Sequence, residues 1–166
     1  MRTPMNDILS RSYDPADLAA CLAIFDSNLP VFFAAEERDE FRAFLGSANA
    51  VDQRPYLVLV RRGVVIACGG LFVETAKRRA ALAWGMVDRS LHRQGLGKRL
   101  MLARLAQART IPNIAVLTLQ ISQHSGGFYQ RFGFAVTRIT ADGFGPGLDR
   151  WDMALPLRPS QQGHCR

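Results

Sequence analysis

Cysteine is scarce, with only Cys21, Cys68 and Cys165 in 166 residues, and the three have no metal-like spacing. That count reads against both a disulfide framework and a structural zinc, and the thiols are expected to be reduced. Long apolar runs are missing too. The longest, Val64 to Val73, has ten residues including two glycines, against the roughly 18 to 20 a bilayer requires. Met1 to Ser10 carries Asp7 and no apolar stretch of secretory length, so a cytoplasmic location and no membrane partner are expected. No repeat, low-complexity tract or dividing linker interrupts the chain. The expectation is one domain over residues 1–158 and a flexible polar tail over residues 159–166 that contains His164. At 48% hydrophobic residues, the chain has ample material for a core and global disorder is excluded.

Acids are the minority charge, 14 against 21 bases, giving a net charge of +7. Their distribution is lopsided. Residues 1–52 hold nine acids and four bases, whereas residues 53–166 hold five acids and 17 bases. An anionic partner is implied for the basic part. No helix-turn-helix, zinc or RNP-like motif accompanies the arginines, so nucleic acid is not the expected one.

Ile8 to Tyr13 reads as a short strand, and Asp14-Pro15 as the cap and first residue of a helix to about Asp26. A second helix is expected near Ala34 to Leu45, with Phe41, Phe44 and Leu45 on one face and Glu36, Glu37, Asp39 and Glu40 on the other. Tyr56 to Val60 and Val64 to Val73 form a hairpin around Arg61-Arg62-Gly63, and Arg79 to Val87 extends it. Helical spacing resumes at Leu96 and ends near Thr110, before Pro112. A strand over Val116 to Ile121, a short helix over Gly126 to Arg131, and strands over Phe134 to Thr140 and Arg150 to Leu157 complete the order. Such mixing predicts a mixed α/β (α+β) fold whose sheet is mostly antiparallel with helices on both faces.

Two segments carry chemistry. In Val87-Asp88-Arg89-Ser90-Leu91-His92-Arg93-Gln94-Gly95-Leu96-Gly97-Lys98 a strand meets a helix through a basic, glycine-bearing turn, where free amides and the helix dipole suit an anion. It is neither a dinucleotide fingerprint, since Leu100 stands where the third glycine should fall, nor a Walker loop. A lone Gly-x-Gly turn has an equally good purely structural reading. The second segment, Gly126-Gly127-Phe128-Tyr129-Gln130-Arg131-Phe132-Gly133-Phe134, taken alone, is a core aromatic cluster.

In this order and separation the two segments resemble the GCN5-related N-acetyltransferase family, closely over Tyr56 to Phe134 and more loosely outside it. The family's cofactor motif has the form Arg/Gln-x-x-Gly-x-Gly/Ala, and its later motif ends in Phe-Tyr-x-x-x-Gly-Phe. The resemblance implies a twisted sheet of six to seven strands, acetyl-CoA as cosubstrate, no metal, and direct transfer to a primary amine without a covalent enzyme stage. Main-chain groups of Met86 and Val87 would bind the pantetheine arm, and a main-chain N–H near Val87 would meet the oxyanion. His92, Arg93, Gln94, Gly95, Leu96, Gly97 and Lys98 would surround the diphosphate. His92 departs from the motif's Arg or Gln. Ser122 stands where many members carry an asparagine, Ser125 follows it as a further cofactor contact, and Tyr129 matches the general acid toward the departing thiolate. The acceptor, a small molecule or peptide, would meet Asn28, Leu29, Phe32 and Phe33, with the Asp142–Asp149 loop as a further wall. The family also admits homodimers.

The chemistry needs a proton acceptor, because stripping an alkylamine of pKa about 10.4 at pH 7 costs roughly 4 to 5 kcal/mol. The family's two glutamate positions fall at Ala81 and Leu117, so neither supplies a base. Glu74 is the remaining candidate, with an exposed strand-end carboxylate as its alternative. A phenol is about 1.5 units above a model thiol, a gap of roughly 2 kcal/mol, so Tyr129 suits the acid role. His124 reads as a solvent-facing loop residue, Cys68 as core, and Trp151 as either pocket or sheet packing. The missing glutamates also leave open a CoA-binding sensor or interaction module that has lost turnover.

Overall fold

The computed structural model describes residues 7–50 and 53–157. The expected tail, with His164 and Cys165, lies outside the described residues, as do Met1 to Asn6. The chain divides into two compact units, Met1–Val73 with Ala83–Gln107, and Glu74–Leu82 with Ala108–Arg166.

In chain order the elements are β1 (Ile8–Ser12), a 3-10 turn (Pro15–Asp17), α1 (Leu18–Ser27), α2 (Glu37–Gly46), β2 (Tyr56–Arg61), β3 (Val64–Glu74) and β4 (Arg79–Val87). They continue with α3 (Leu96–Arg109), β5 (Val116–Ser122), α4 (Gly126–Gln130), β6 (Ala135–Gly145) and β7 (Leu148–Pro156). The strands form one seven-stranded sheet in the order β1-β2-β3-β4-β5-β7-β6. β1 with β2, β2 with β3, β5 with β7, and β6 with β7 are antiparallel. β4 and β5 are parallel, pairing Arg79–Ala81 with Val116–Thr118. The expected mixed, mostly antiparallel sheet is therefore present.

In the first unit, period-2 alternation along β2 explains helices on both faces. Tyr56 and Val58 point into a core with Cys21, Phe25, Phe41 and Phe44 from α1 and α2, while Leu57 and Leu59 point to the opposite core with Leu96 and Leu100 of α3. A strand buried on both faces must be apolar at every position, which is why Tyr-Leu-Val-Leu-Val reads as a continuous run. Asp14 caps the turn before α1 by accepting from Ala16 N at 2.9 Å, and the Asp17 carboxylate accepts from Asp14 N at 2.9 Å, a reciprocal capping box.

Two boundaries differ from expectation. α2 starts at Glu37, not near Ala34, because Ala34–Glu36 form the entry turn and the Glu37 carboxylate accepts from Ala34 N at 2.8 Å. The expected Asp142–Asp149 loop is instead hairpin: β6 runs to Gly145 and only Pro146-Gly147 turn. Side chains keep this glycine-rich stretch paired. The Asp142 carboxylate accepts from Gly147 N at 2.7 Å, and the Asp149 carboxylate accepts from Asp142 N at 2.9 Å. Gln123 donates to Gly147 O at 3.0 Å and accepts from Asp149 N at 2.8 Å.

Candidate active site

β4 does not run straight to its end. Trp84 has φ 47°, a left-handed break inside the strand, and the carbonyls around it are fixed from below. Buried Tyr56 donates its hydroxyl to Trp84 O at 2.8 Å; burial pushes that phenol well above its ordinary pKa, so it stays a neutral donor. Arg104, a buried arginine of α3, donates to Gly70 O and to Ala83 O, each at 3.1 Å. Gly85 leaves room for this contact, since a Cβ there would force the Arg104 guanidinium to shift. The sequence reading missed Arg104 and Tyr56; glycines at 69 and 85 inside apolar strands were the available signal.

Beyond the break, Met86 points its side chain into the core, leaving only main-chain groups for a ligand. The carbonyl of Val87 accepts from Asn28 Nδ2 at 2.9 Å and lies 3.0 Å from His92 Nε2. Asp88 then caps a 3-10 turn over Arg89–Leu91, its carboxylate accepting from Ser90 N at 2.9 Å. The chain reverses through Arg93 at φ 65° and Gly95 at φ 79°, and enters α3 at Leu96. Arg93, Gln94, Gly95 and Lys98 are exposed, whereas the Leu96 side chain packs with Leu57, Leu59 and Ile66 and can offer only its amide. Nothing lies within 4 Å of the space a Cβ on Gly95 would fill. An open left-handed glycine ahead of a 14-residue helix, flanked by Arg93 and Lys98, fits a diphosphate. His92 does not follow the motif's phosphate role in this geometry, because its Nε2 is turned inward to Val87.

The four expected acceptor residues separate. Asn28 is 2% exposed and spends its amide on Ile24 O and Val87 O, so it is a buried support and not a pocket wall. Phe33 stacks on Phe25 with centroids 5.0 Å apart and on Trp84 at 6.2 Å, and Leu29 packs on the same core. Phe32 alone faces solvent, at 53% exposure.

The second unit holds the other expected residues. Ser122 ends β5 opposite Arg150 of β7, and Ser125 stands at the N-cap of α4 without a side-chain capping bond. Tyr129, on α4, is half-buried against Phe128 and Phe134. Trp151 resolves as sheet packing: its ring covers Gly126, where a Cβ would strike it. His124 is exposed, as expected. Glu74 is ion-paired with Arg79, with Lys77 Nζ 3.8 Å away, and the Arg79 guanidinium holds its carboxyl below the usual range. That geometry opposes a base role for Glu74. Leu117 is fully buried, so the second glutamate position is core. In the first unit, the Cys21 thiol is pushed far upward, first by its hydrogen bond with Cys68 and then by burial, which leaves no nucleophilic thiolate there.

A family model described as the Acetyltransferase (GNAT) family matches residues 19–134. The chain belongs to that family. Solved GNAT-like structures share its fold. The ribosomal-protein-S18-alanine N-acetyltransferase from Escherichia coli is 22% identical, with a TM-score of 0.75 over 96% of this chain and 98% of its own. The ribosomal-protein-alanine N-acetyltransferase from Brucella melitensis is 25% identical, with a TM-score of 0.73 over 90% and 99%. An acetyltransferase from Salmonella typhimurium, solved with its cofactor acetyl-CoA, is 20% identical, with a TM-score of 0.75 over 96% and 99%. A comparison with curated proteins finds no match. As a GNAT acetyltransferase the chain uses acetyl-CoA, and the Met86–Lys98 stretch fits it. Among the described residues no group of three or more His, Cys, Asp or Glu is placed to hold a metal, and no helix is long and apolar enough to cross a membrane.

Proposed function

We propose that this acetyltransferase passes the acetyl group of acetyl-CoA directly to a primary amine of a small-molecule or peptide acceptor. The observation that carries the reading is the Met86–Lys98 run, a strand end and an open left-handed turn leading into α3. Bound acetyl-CoA supplies an activated thioester. Amides of residues 93–97 would hold the diphosphate, with Arg93 and Lys98 adding opposite charge. Main-chain groups of Met86 and Val87 would pair with the pantetheine, and an N–H near Val87 would be the oxyanion donor. Ser122 and Ser125 would add hydroxyl contacts, and Tyr129 would give its proton to the departing sulfur. No side chain is assigned as base: Glu74 is occupied by Arg79, and the acceptor's proton leaves through water.

The test is calorimetric titration with acetyl-CoA, followed by thiol release over a panel of amines: an alanine-initiated peptide, free amino acids, a polyamine and an aminoglycoside. Binding together with release for one class supports the proposal. Absence of acetyl-CoA binding refutes it. Tight binding with no release across the panel favours the sensor or interaction module, which the missing glutamates also favour.

A further inference from the structure

The peptide that joins Val87 to Asp88 is held on both sides. Its carbonyl takes Asn28 Nδ2 at 2.9 Å and faces His92 Nε2 at 3.0 Å, while its N–H, on Asp88, donates to Ile66 O at 2.9 Å. A carbonyl only accepts, so His92 must carry a proton on Nε2, and both the neutral ring in that tautomer and the imidazolium do so. Both side chains are themselves braced. Asn28 Nδ2 also donates to Ile24 O at 2.9 Å, and the main-chain carbonyl of Asn28 accepts from Phe32 N at 3.0 Å. The His92 ring meets Phe32 edge to face with centroids 5.3 Å apart, and the Arg89 guanidinium lies 5.5 Å from the same Phe32 ring.

We propose that Asn28 and His92 are positioning residues that clamp the Val87 carbonyl and so aim the main chain at the end of β4 for acetyl transfer. This rests on the reading that main-chain groups of Met86 and Val87 face the acetyl-bearing arm. One hydrogen bond leaves a peptide free to rock about its neighbours. Two donors from separate elements, the end of α1 and the turn after β4, leave it one orientation. Misplacing a reacting group by about 1 Å costs on the order of 100-fold in rate, so a loosened peptide shows in turnover before it shows in binding.

His92→Phe removes the donor and keeps a flat ring for Phe32; His92→Gln returns an amide N–H at similar reach. With the panel amine turned over fastest, H92F is expected to lower kcat about 10- to 100-fold while KM for acetyl-CoA moves less than about threefold. H92Q is expected to stay within about threefold of wild type in both. Amide exchange followed by NMR in the protein without acetyl-CoA gives a second readout: Asp88 exchanges faster in H92F than in wild type, and H92Q restores protection. Unchanged kcat in H92F, or an equal loss in H92F and H92Q, overturns the clamp. So does unchanged Asp88 exchange in H92F, even if no amine is turned over. Failure of wild type to bind acetyl-CoA counts against the proposed function alone, because the exchange measurement still decides the clamp.

Discussion

Tyr129 sits with its ring edge-on to Phe128 and Phe134, at centroid distances of 5.1 and 5.9 Å, so its orientation is set by aromatic packing. Removing only the hydroxyl leaves that packing in place. Tyr129→Phe is therefore expected to lower turnover about 100-fold while acetyl-CoA affinity from calorimetry changes less than about twofold. Equal turnover would remove the acid role. Asn28 shows where reading single residues from sequence stops. Next to Leu-Pro in a loop it resembles a pocket wall, yet its amide reaches Val87, 59 residues away, and that partner fixes its role. Glu74 fails as a base for a local reason that was visible in part, since Lys77 and Arg79 stand only three and five residues away.

At the scale of elements, the turn into α3 carries the cofactor argument. Gly95 is left-handed, and the space beside it is open. Gly95→Val would force a β-branched residue into that conformation and place methyl groups where a phosphate would rest. Loss of acetyl-CoA binding is expected in calorimetry, with far-ultraviolet circular dichroism unchanged, and normal affinity would refute the cradle. The start of α1 gives a pH prediction. The Asp17 carboxylate takes Arg11 Nη1 at 2.7 Å and Arg11 Nη2 at 2.9 Å, and that hydrogen bonding holds its pKa below the ordinary range. A depressed carboxylate contributes stability above its unfolded pKa and loses it as pH falls through the folded value. Asp17→Asn should thus cost about 1 to 2 kcal/mol at pH 7, allowing for the exposed Arg11 side. Thermal melts should show the gap between wild type and variant closing below about pH 4. A gap that stays constant to pH 3 would contradict this assignment.

Over the whole molecule the charge is uneven along the chain, with 17 of 21 bases after residue 52. If, as proposed, exposed Arg93 and Lys98 hold the polyanionic cosubstrate, its affinity should fall with salt, since the Debye length falls from about 10 Å at 0.1 M to 3 Å at 1 M. Acetyl-CoA affinity is expected to drop about three- to tenfold between 0.05 and 0.5 M sodium chloride, and a flat response would argue that amides alone hold the diphosphate. The acidic run of residues 36–40 has a structural account: Glu37, Asp39 and Glu40 occupy the first turn of α2, where the helix dipole favours carboxylates.

Short-range physics is legible in the chain itself. Alternation located the strands, as in β4, expected and observed over Arg79–Val87, and the paired glycines and aromatic segment marked the family. Contacts between segments far apart in the chain were settled by folding alone. The Trp84 break held from Tyr56, the burial of Arg104 among strand carbonyls, and the Asn28 contact with Val87 belong to this group. The Gln123 bond to Asp149 N does too; with Asp142 and Asp149 it keeps Gly143 and Gly145 in the strand and leaves the turn to Pro146-Gly147. Periodicity reports which face of an element is apolar; which buried carbonyl a given side chain must satisfy is settled only when the chain folds and removes water from both.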